Sequence, residues 1–210
     1  TVLFVFQPAE EVVGGGRRMV ADGVFERFPA DAVFALHNWP GVPEGHIAVR
    51  TGPQMAAVDD FELRFSGKGC HAAMPHLGDD PILAAADFVA AAQRVVSRSI
   101  DPLKPAVLSV TQIHGGRFNN FVPTEVTVEG TCRFYDAGLS DHCEAEIRRV
   151  ADGVAAVHGL SAELTYKRGY PPVVNPADGA DIAVAAGIDT VGSERVLTEF
   201  PPSMGCEDFA

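Results

Sequence analysis

The run Val2-Leu3-Phe4-Val5-Phe6, followed by Gln7-Pro8-Ala9-Glu10-Glu11, decides how this chain is read. Consecutive apolar, β-branched and aromatic residues predict a strand covered on both faces, and Pro8, with no N–H to give, marks where its ladder stops. The adjacent carboxylates therefore leave the sheet at its rim. Neighbouring side chains point in different directions, so Glu10 and Glu11 can divide two tasks, one binding a cation and the other moving a proton. A lone Glu-Glu pair is otherwise most simply a solvated loop. What favours chemistry is a second stretch of the same design, Ala32-Val33-Phe34-Ala35-Leu36-His37-Asn38-Trp39-Pro40, an apolar run ending in an imidazole and halted by proline. Neighbouring strand ends would bring Glu11 and His37 to one rim. Imidazole and carboxylate are ordinary zinc ligands, and a carboxylate beside them is an ordinary general base, so the pattern points to metal-assisted hydrolysis.

Composition narrows the alternatives. With 210 residues, 47% hydrophobic and 21% charged, the chain has room for one large globular domain or two small ones and lacks the signature of disorder. Its 28 acidic against 16 basic residues, a formal net charge of -12, argue against nucleic acid or an anionic membrane as partner, because phosphate binding needs clustered Lys and Arg. No run is long and apolar enough to span a membrane, and no signal peptide is visible. Cys70, Cys132, Cys143 and Cys206 form no Cys-x-x-Cys pair, which predicts free thiols in a reducing, cytoplasmic setting. Thr1 stands inside the first expected strand and Ala210 directly follows a motif, so the chain is expected to be an internal segment of a longer protein.

Beyond Glu11, Gly14-Gly15-Gly16 predicts a loop, with a helix over 17–28 whose Met19, Val20, Val24 and Phe25 face a sheet. The glycines lack the spacing of a phosphate-binding loop. A strand is expected over 45–50, a turn at Thr51-Gly52-Pro53, and a domain boundary near Met55. There the pattern changes: Asp60, Glu62 and Arg64 alternate with Phe61, Leu63 and Phe65, the period of a strand with one wet face. Asp80-Pro81 is a helix start, with Asp as N-cap and Pro at the first helical position, for a helix over 81–97. Strands over 107–113 and 126–134, a helix from Ser140 to its stop at Gly159, and a strand carrying Leu160, Ala162, Leu164 and Tyr166 complete a βαββαβ order. This order predicts a four-stranded antiparallel sheet with both helices on one face and Glu62, Arg64, Glu125, Thr127 and Arg133 on the other. From Tyr170-Pro171-Pro172 the chain turns back, with a helix over 177–186 before Ser203-Met204-Gly205-Cys206-Glu207-Asp208-Phe209.

Together Gln7-Pro8-Ala9-Glu10-Glu11, Ala35-Leu36-His37-Asn38, Gly67-Lys68-Gly69-Cys70-His71-Ala72-Ala73-Met74-Pro75-His76, Asn120 with Val122-Pro123, and Met204-Gly205-Cys206-Glu207-Asp208-Phe209 resemble the M20 metallopeptidases. Within them the chain is most similar to amidohydrolases that remove acyl groups from amino acids, of the hippurate-hydrolase kind. The resemblance covers nearly the whole chain. It implies an α/β fold in which parts of a zinc-peptidase-like α/β catalytic domain, 1–55 and 170–210, enclose an inserted βαββαβ ferredoxin-like lid or dimerisation domain, 56–169. It also implies hydrolysis of the amide bond of N-acyl amino acids, with a metallo-dipeptidase or carboxypeptidase as the alternative.

By the same resemblance Glu10 is the general base, Glu11 and His37 are metal ligands, and His71 polarises the scissile carbonyl, often from a partner subunit. Asn120 and Arg133 hold the substrate carboxylate, although a cross-strand ion pair with Glu62, Glu125 or Glu129 is the plainer reading of Arg133. Glu207 falls in a motif near the metal without a defined role, and His76 is read as structural. Cys206 and Cys70 stand where the family usually carries serine and glycine. The implied cofactor is a pair of zinc ions, or manganese or cobalt, in the complete protein. The family's Cys-x-His ligands lie upstream of Gln7-Pro8 and its last histidine downstream of Asp208-Phe209. Glu11 and His37 alone fall short of the three ligands a catalytic zinc keeps, so a metal-free, non-catalytic dimerising module is the second reading. The expected partners are a small acyl amino acid or peptide and a second copy of the chain paired through the lid.

Overall fold

Alternating apolar positions over 57–66 and helical spacing over 81–99 place most of the buried side chains in the middle of the chain. The computed structural model describes residues 2–210, the side chains at 12 and 13 excepted, so the expectation for Thr1 lies outside the described residues. In chain order it contains α1 (Glu10–Val13), α2 (Gly15–Ala21), α3 (Val24–Arg27), β1 (Ile47–Ala48), β2 (Gly52–Met55), β3 (Ala57–Ser66), β4 (Cys70–His71) and α4 (Pro81–Ser99). Then follow β5 (Ala106–Gly115), β6 (Phe121–Val122), β7 (Glu125–Phe134), α5 (Leu139–His158), β8 (Ser161–Arg168), β9 (Val173–Asn175), α6 (Ala177–Val191) and β10 (Val196–Leu197). The chain divides into two compact units, one of Ala57–Gly169 and one built from the segments before and after it.

In the unit Ala57–Gly169, a four-stranded antiparallel sheet has the order β5-β7-β3-β8. Its register sets Ser66 opposite Glu125 at one end and Val58 opposite Arg133 at the other. Phe61, Leu63 and Phe65 of β3 pack with Val126 and Val128 of β7 against Ala84, Phe88 and Val95 of α4 and Ile147, Val150 and Ala151 of α5. Phe88 meets Phe61 and Phe65 edge to face at 6.3 and 6.0 Å. Each such ring contributes roughly 2 to 3 kcal/mol by leaving water. The Asp80 side chain accepts from the backbone N–H groups of Ile82 and Leu83 and caps α4 as its sequence predicts. One carboxylate is buried in this unit: Asp59 accepts from the hydroxyls of Ser140 and Tyr166 and from Gly169 N–H at 3.2 Å. Burial pushes the Tyr166 phenol well above its ordinary value, with the charge of Asp59 adding to it.

The other unit rests on short pairings. β1 runs parallel to β10 and β2 antiparallel to β9. The backbone N–H of Ala56 donates to the carbonyls of Ser203 and Gly205 at 3.1 and 2.8 Å, which ties the segment after β10 to the end of β2.

Several expectations are corrected. The run 2–6 and its counterpart 32–36 form no strand; their side chains are exposed, Phe6 by 90% and Leu36 by 93%. A strand exists only through its ladder, and no described residue pairs with either run. The helix expected over 17–28 is interrupted, because Gly23 adopts φ +84° between α2 and α3, a left-handed conformation that ends a helix. The strand expected over 45–50 shrinks to β1, and the turn expected at Thr51-Gly52-Pro53 instead belongs to β2, where Pro53 is tolerated at an irregular two-stranded pairing.

Candidate active site

The segment 7–16 folds back on itself. Ala9 takes φ +59°, the one non-glycine residue with positive φ among the described residues, a conformation that costs roughly 1 kcal/mol and presents Glu10 at the start of α1. Gly15 closes the loop: a Cβ there would lie 1.6 Å from the carbonyl oxygen of Pro8, so only glycine fits. The Tyr170 hydroxyl donates to the carbonyl of Glu10 at 3.3 Å. Buried Asp208 accepts from the Gln7 side-chain amide and, at 2.8 Å, from Gly16 N–H.

These contacts bring together carboxylates from distant parts of the sequence. Oxygens of Glu10, Glu207 and Asp208 lie within 4.8 Å of one another. His37 Nε2 is 3.8 Å from Glu207 Oε2, and its Nδ1 is 2.6 Å from the carbonyl oxygen of Asn38. A carbonyl only accepts, so Nδ1 carries a proton, and the ring turns its Nε2 toward Glu207. Burial raises the Glu207 carboxyl above its ordinary value, with the charges of Glu10 and Asp208 adding and that of His37 opposing. An imidazole nitrogen facing a carboxylate, with two more carboxylates beside it, is a group that fits a divalent cation. The Nδ1–H to Asn38 contact is the outer bond that typically orients a ligating histidine. Glu11 stands outside this group, with its side chain exposed. Glu207 and Asp208 enter it instead; the Glu-Asp-Phe motif marked them in the sequence, but nothing local told which element they would meet.

In the unit Ala57–Gly169, His71 and Asn120 share one corner. β4 pairs with β6, His71 opposite Phe121, and Ala72 N–H donates to the Asn120 carbonyl at 2.9 Å. Ala73 N–H donates to His71 Nδ1 at 3.1 Å, which places the ring proton on Nε2, a donor not engaged among the described residues. Arg133 is held at the other end of the sheet, opposite Val58 and Val107. With β7 rising ~3.3 Å per residue, the two ends are on the order of 25 Å apart, so one chain does not bring Asn120 and Arg133 onto a single carboxylate. Two of the carboxylates expected to pair with Arg133 are instead engaged by Arg64, which reaches Glu62 of its own strand at 3.4 Å and, across to β7, Glu125 at 3.6 Å. Among the described residues no hydrogen bond or ion pair engages the Arg133 guanidinium.

Known proteins resemble the chain throughout. It is 37% identical over 209 residues to an N-acetyl-L-cysteine deacetylase of Bacillus subtilis (strain 168), covering 100% of this chain and 49% of that protein. It is 41% identical over 179 residues to an N-acyl-L-amino acid amidohydrolase of Geobacillus stearothermophilus, covering 85% of this chain and 48% of that protein. The chain spans about half the length of the curated relatives it matches. A solved Bacillus subtilis structure, described as a dinuclear metal-binding peptidase from the M20 family, superposes with a TM-score of 0.75 at 33% identity, covering 99% of this chain and 51% of that one. The mixed α/β architecture is thus shared with the M20 peptidase fold. Residues 1–210 match the peptidase family M20/M25/M40, and to that family the chain belongs.

Proposed function

We propose that the complete protein hydrolyses the amide bond of N-acyl amino acids at a divalent metal centre. The observation that carries this reading is the meeting of Glu10, Glu207 and Asp208 beside Nε2 of His37. Relatives named deacetylase and amidohydrolase favour acyl removal over peptide cleavage, and the dinuclear relative favours more than one ion. His37 with Glu207, together with Glu11 from the adjoining helix, are the groups we propose as metal ligands, zinc being one of several divalent ions this donor set suits. When bound, such an ion supplies Lewis acidity toward the substrate carbonyl and makes water more acidic. Its cytoplasmic setting follows from the reduced thiols that the sequence predicts.

Each remaining role follows from a side chain. Glu10 accepts the proton of the attacking water as general base, a contribution of typically 10² to 10⁴ in rate. His71 offers Nε2–H to the oxygen on which charge develops, and its Nδ1 is already engaged by Ala73. Arg133, a cation without an ion-pair partner among the described residues and with planar donor geometry, binds the free carboxylate of the amino acid, and Asn120 orients the amide. In this reading Ala57–Gly169 is the ferredoxin-like lid and the flanking segments belong to the zinc-peptidase-like catalytic domain. The separation of Arg133 from His71 and Asn120 along the sheet supports a homodimer, in which one copy supplies His71 and Asn120 and the other Arg133.

The test is Glu10→Gln in the complete protein with N-acetyl amino acids as substrates. The reading predicts a kcat lower by about 10² to 10⁴ with KM little changed; wild-type kcat in this variant would remove the general base from the mechanism.

A further inference from the structure

The carboxylates that meet around Glu10 are not equivalent. Asp208 is 6% exposed, and each of its oxygens already accepts an N–H, Oδ1 from the Gln7 amide and Oδ2 from Gly16 at 2.8 Å. No N–H of the described residues reaches the carboxylate of Glu10, and Glu207 faces Nε2 of His37. Gln7 and Gly16 stand before and after Glu10, so the partners of Asp208 are the two ends of the loop that carries it. The approach needs glycine at 16, where a Cβ would lie 2.6 Å from the Asp208 carbonyl oxygen and 3.0 Å from Gln7 Oε1.

We infer that Asp208 is a positioning residue and not a metal ligand: it clamps Gln7 to Gly16, holds the loop closed, and thereby aims Glu10. The inference rests on Glu10 acting as the base. Its chemistry separates it from ligation. A clamp needs two hydrogen-bonding atoms, whereas a ligand needs a negative oxygen. In Asp208→Asn the side-chain oxygen keeps Gly16 N–H, and the new NH₂ donates to Gln7 Oε1 once the Gln7 amide turns over. The clamp survives and the charge is lost.

The experiment uses the complete protein stripped of metal, titrated with Mn²⁺ by calorimetry and, after reloading, assayed with an N-acetyl amino acid. As a clamp, Asp208→Asn binds Mn²⁺ within about threefold of wild type and loses less than about tenfold in kcat, because the loop geometry is kept. Asp208→Ala and Gln7→Leu each bind Mn²⁺ within about threefold but lose about 10- to 100-fold in kcat, and the double variant falls no further than the worse single one. Gln7 is no ligand, so its loss reports the clamp alone. If Asp208→Asn, still folded by circular dichroism, loses Mn²⁺ more than about 100-fold, Asp208 is a ligand and the inference is overturned. Losses of Gln7→Leu and Asp208→Ala that add in full also overturn it. Wild-type kcat in Glu10→Gln, measured alongside, removes the base reading, while the Mn²⁺ affinity of Asp208→Asn still decides whether Asp208 ligates.

Discussion

Replacing Glu207 by glutamine should have opposite effects on the metal-free and metal-loaded protein. The Glu207 side chain is 17% exposed and its oxygens lie within 4.8 Å of those of Glu10 and Asp208. At that distance one pair of like charges repels by between ~0.9 kcal/mol in a water-like medium and ~3.5 kcal/mol at an effective dielectric of about 20. With solvent screening and the nearby His37 offsetting part of this, neutralising Glu207 should stabilise the metal-free protein by about 1 to 2 kcal/mol, a rise in Tm of roughly 3 to 6 °C for a chain of this size. The pH dependence has a fixed sign. The folded state raises this carboxyl above 4.5, so it binds the proton more tightly than the unfolded chain does. The penalty is fully present above the raised value, is relieved as pH falls through it, and vanishes only well below the ordinary value of 4.5. The advantage of Glu207→Gln should fade over that window. The same variant should bind Mn²⁺ about 10- to 100-fold more weakly, since a charged donor has gone. Thermal unfolding in a chelator and calorimetric titration measure the two effects. A lower Tm for the metal-free variant, or an unchanged Mn²⁺ affinity, would refute the reasoning.

Other parts of the molecule give further expectations. Asp59→Ala leaves the donors of Ser140, Tyr166 and Gly169 unpaired in the core and should cost about 3 to 5 kcal/mol in urea unfolding; a cost below about 1 kcal/mol would mean that these bonds do not hold the unit together. Arg133→Ala should raise KM about 10- to 100-fold for acyl amino acids and leave substrates with an amidated carboxyl unaffected, which steady-state kinetics on the paired substrates decides. Lys104 holds the Asp136 carboxyl below its ordinary value through a 2.7 Å hydrogen bond, with Gly138 N–H adding to the effect. That pair stabilises above the unfolded carboxylate value of 3.8 and is lost as pH falls through the lowered folded value, so Lys104→Met should flatten the stability profile in that acidic range.

Sequence legibility followed the range of the interactions. Asp80-Pro81 announced α4 because an N-cap and its helix are neighbours in the chain, and the alternation of Phe61, Leu63 and Phe65 with charged residues announced β3 for the same reason. The apolar run Val2–Phe6 announced a strand that does not form among the described residues, since hydrophobicity tells which side chains want burial and not what will pair with their backbone. At the candidate site, residue type singled out Glu10 and His37, although the strand ends expected to carry them do not form among the described residues. The contacts of Asp208 with Gln7 and Gly16, 201 and 192 positions away, could not, because no local pattern encodes a hydrogen bond of that span. The same holds for Arg133, whose ion pair with Glu62 or Glu125 was plausible in the sequence. In the fold it is Arg64, next but one to Glu62 on β3, that reaches both.

The measurement that tests the central claim most directly is hydrolysis of an N-acetyl amino acid by the complete protein, with metal content determined on the same samples as prepared, after chelation, and after readdition of zinc or manganese. The account predicts one to two ions per chain in the active samples, loss of hydrolysis with loss of the ions, and recovery on readdition. Full hydrolysis by protein shown to be free of metal would contradict it.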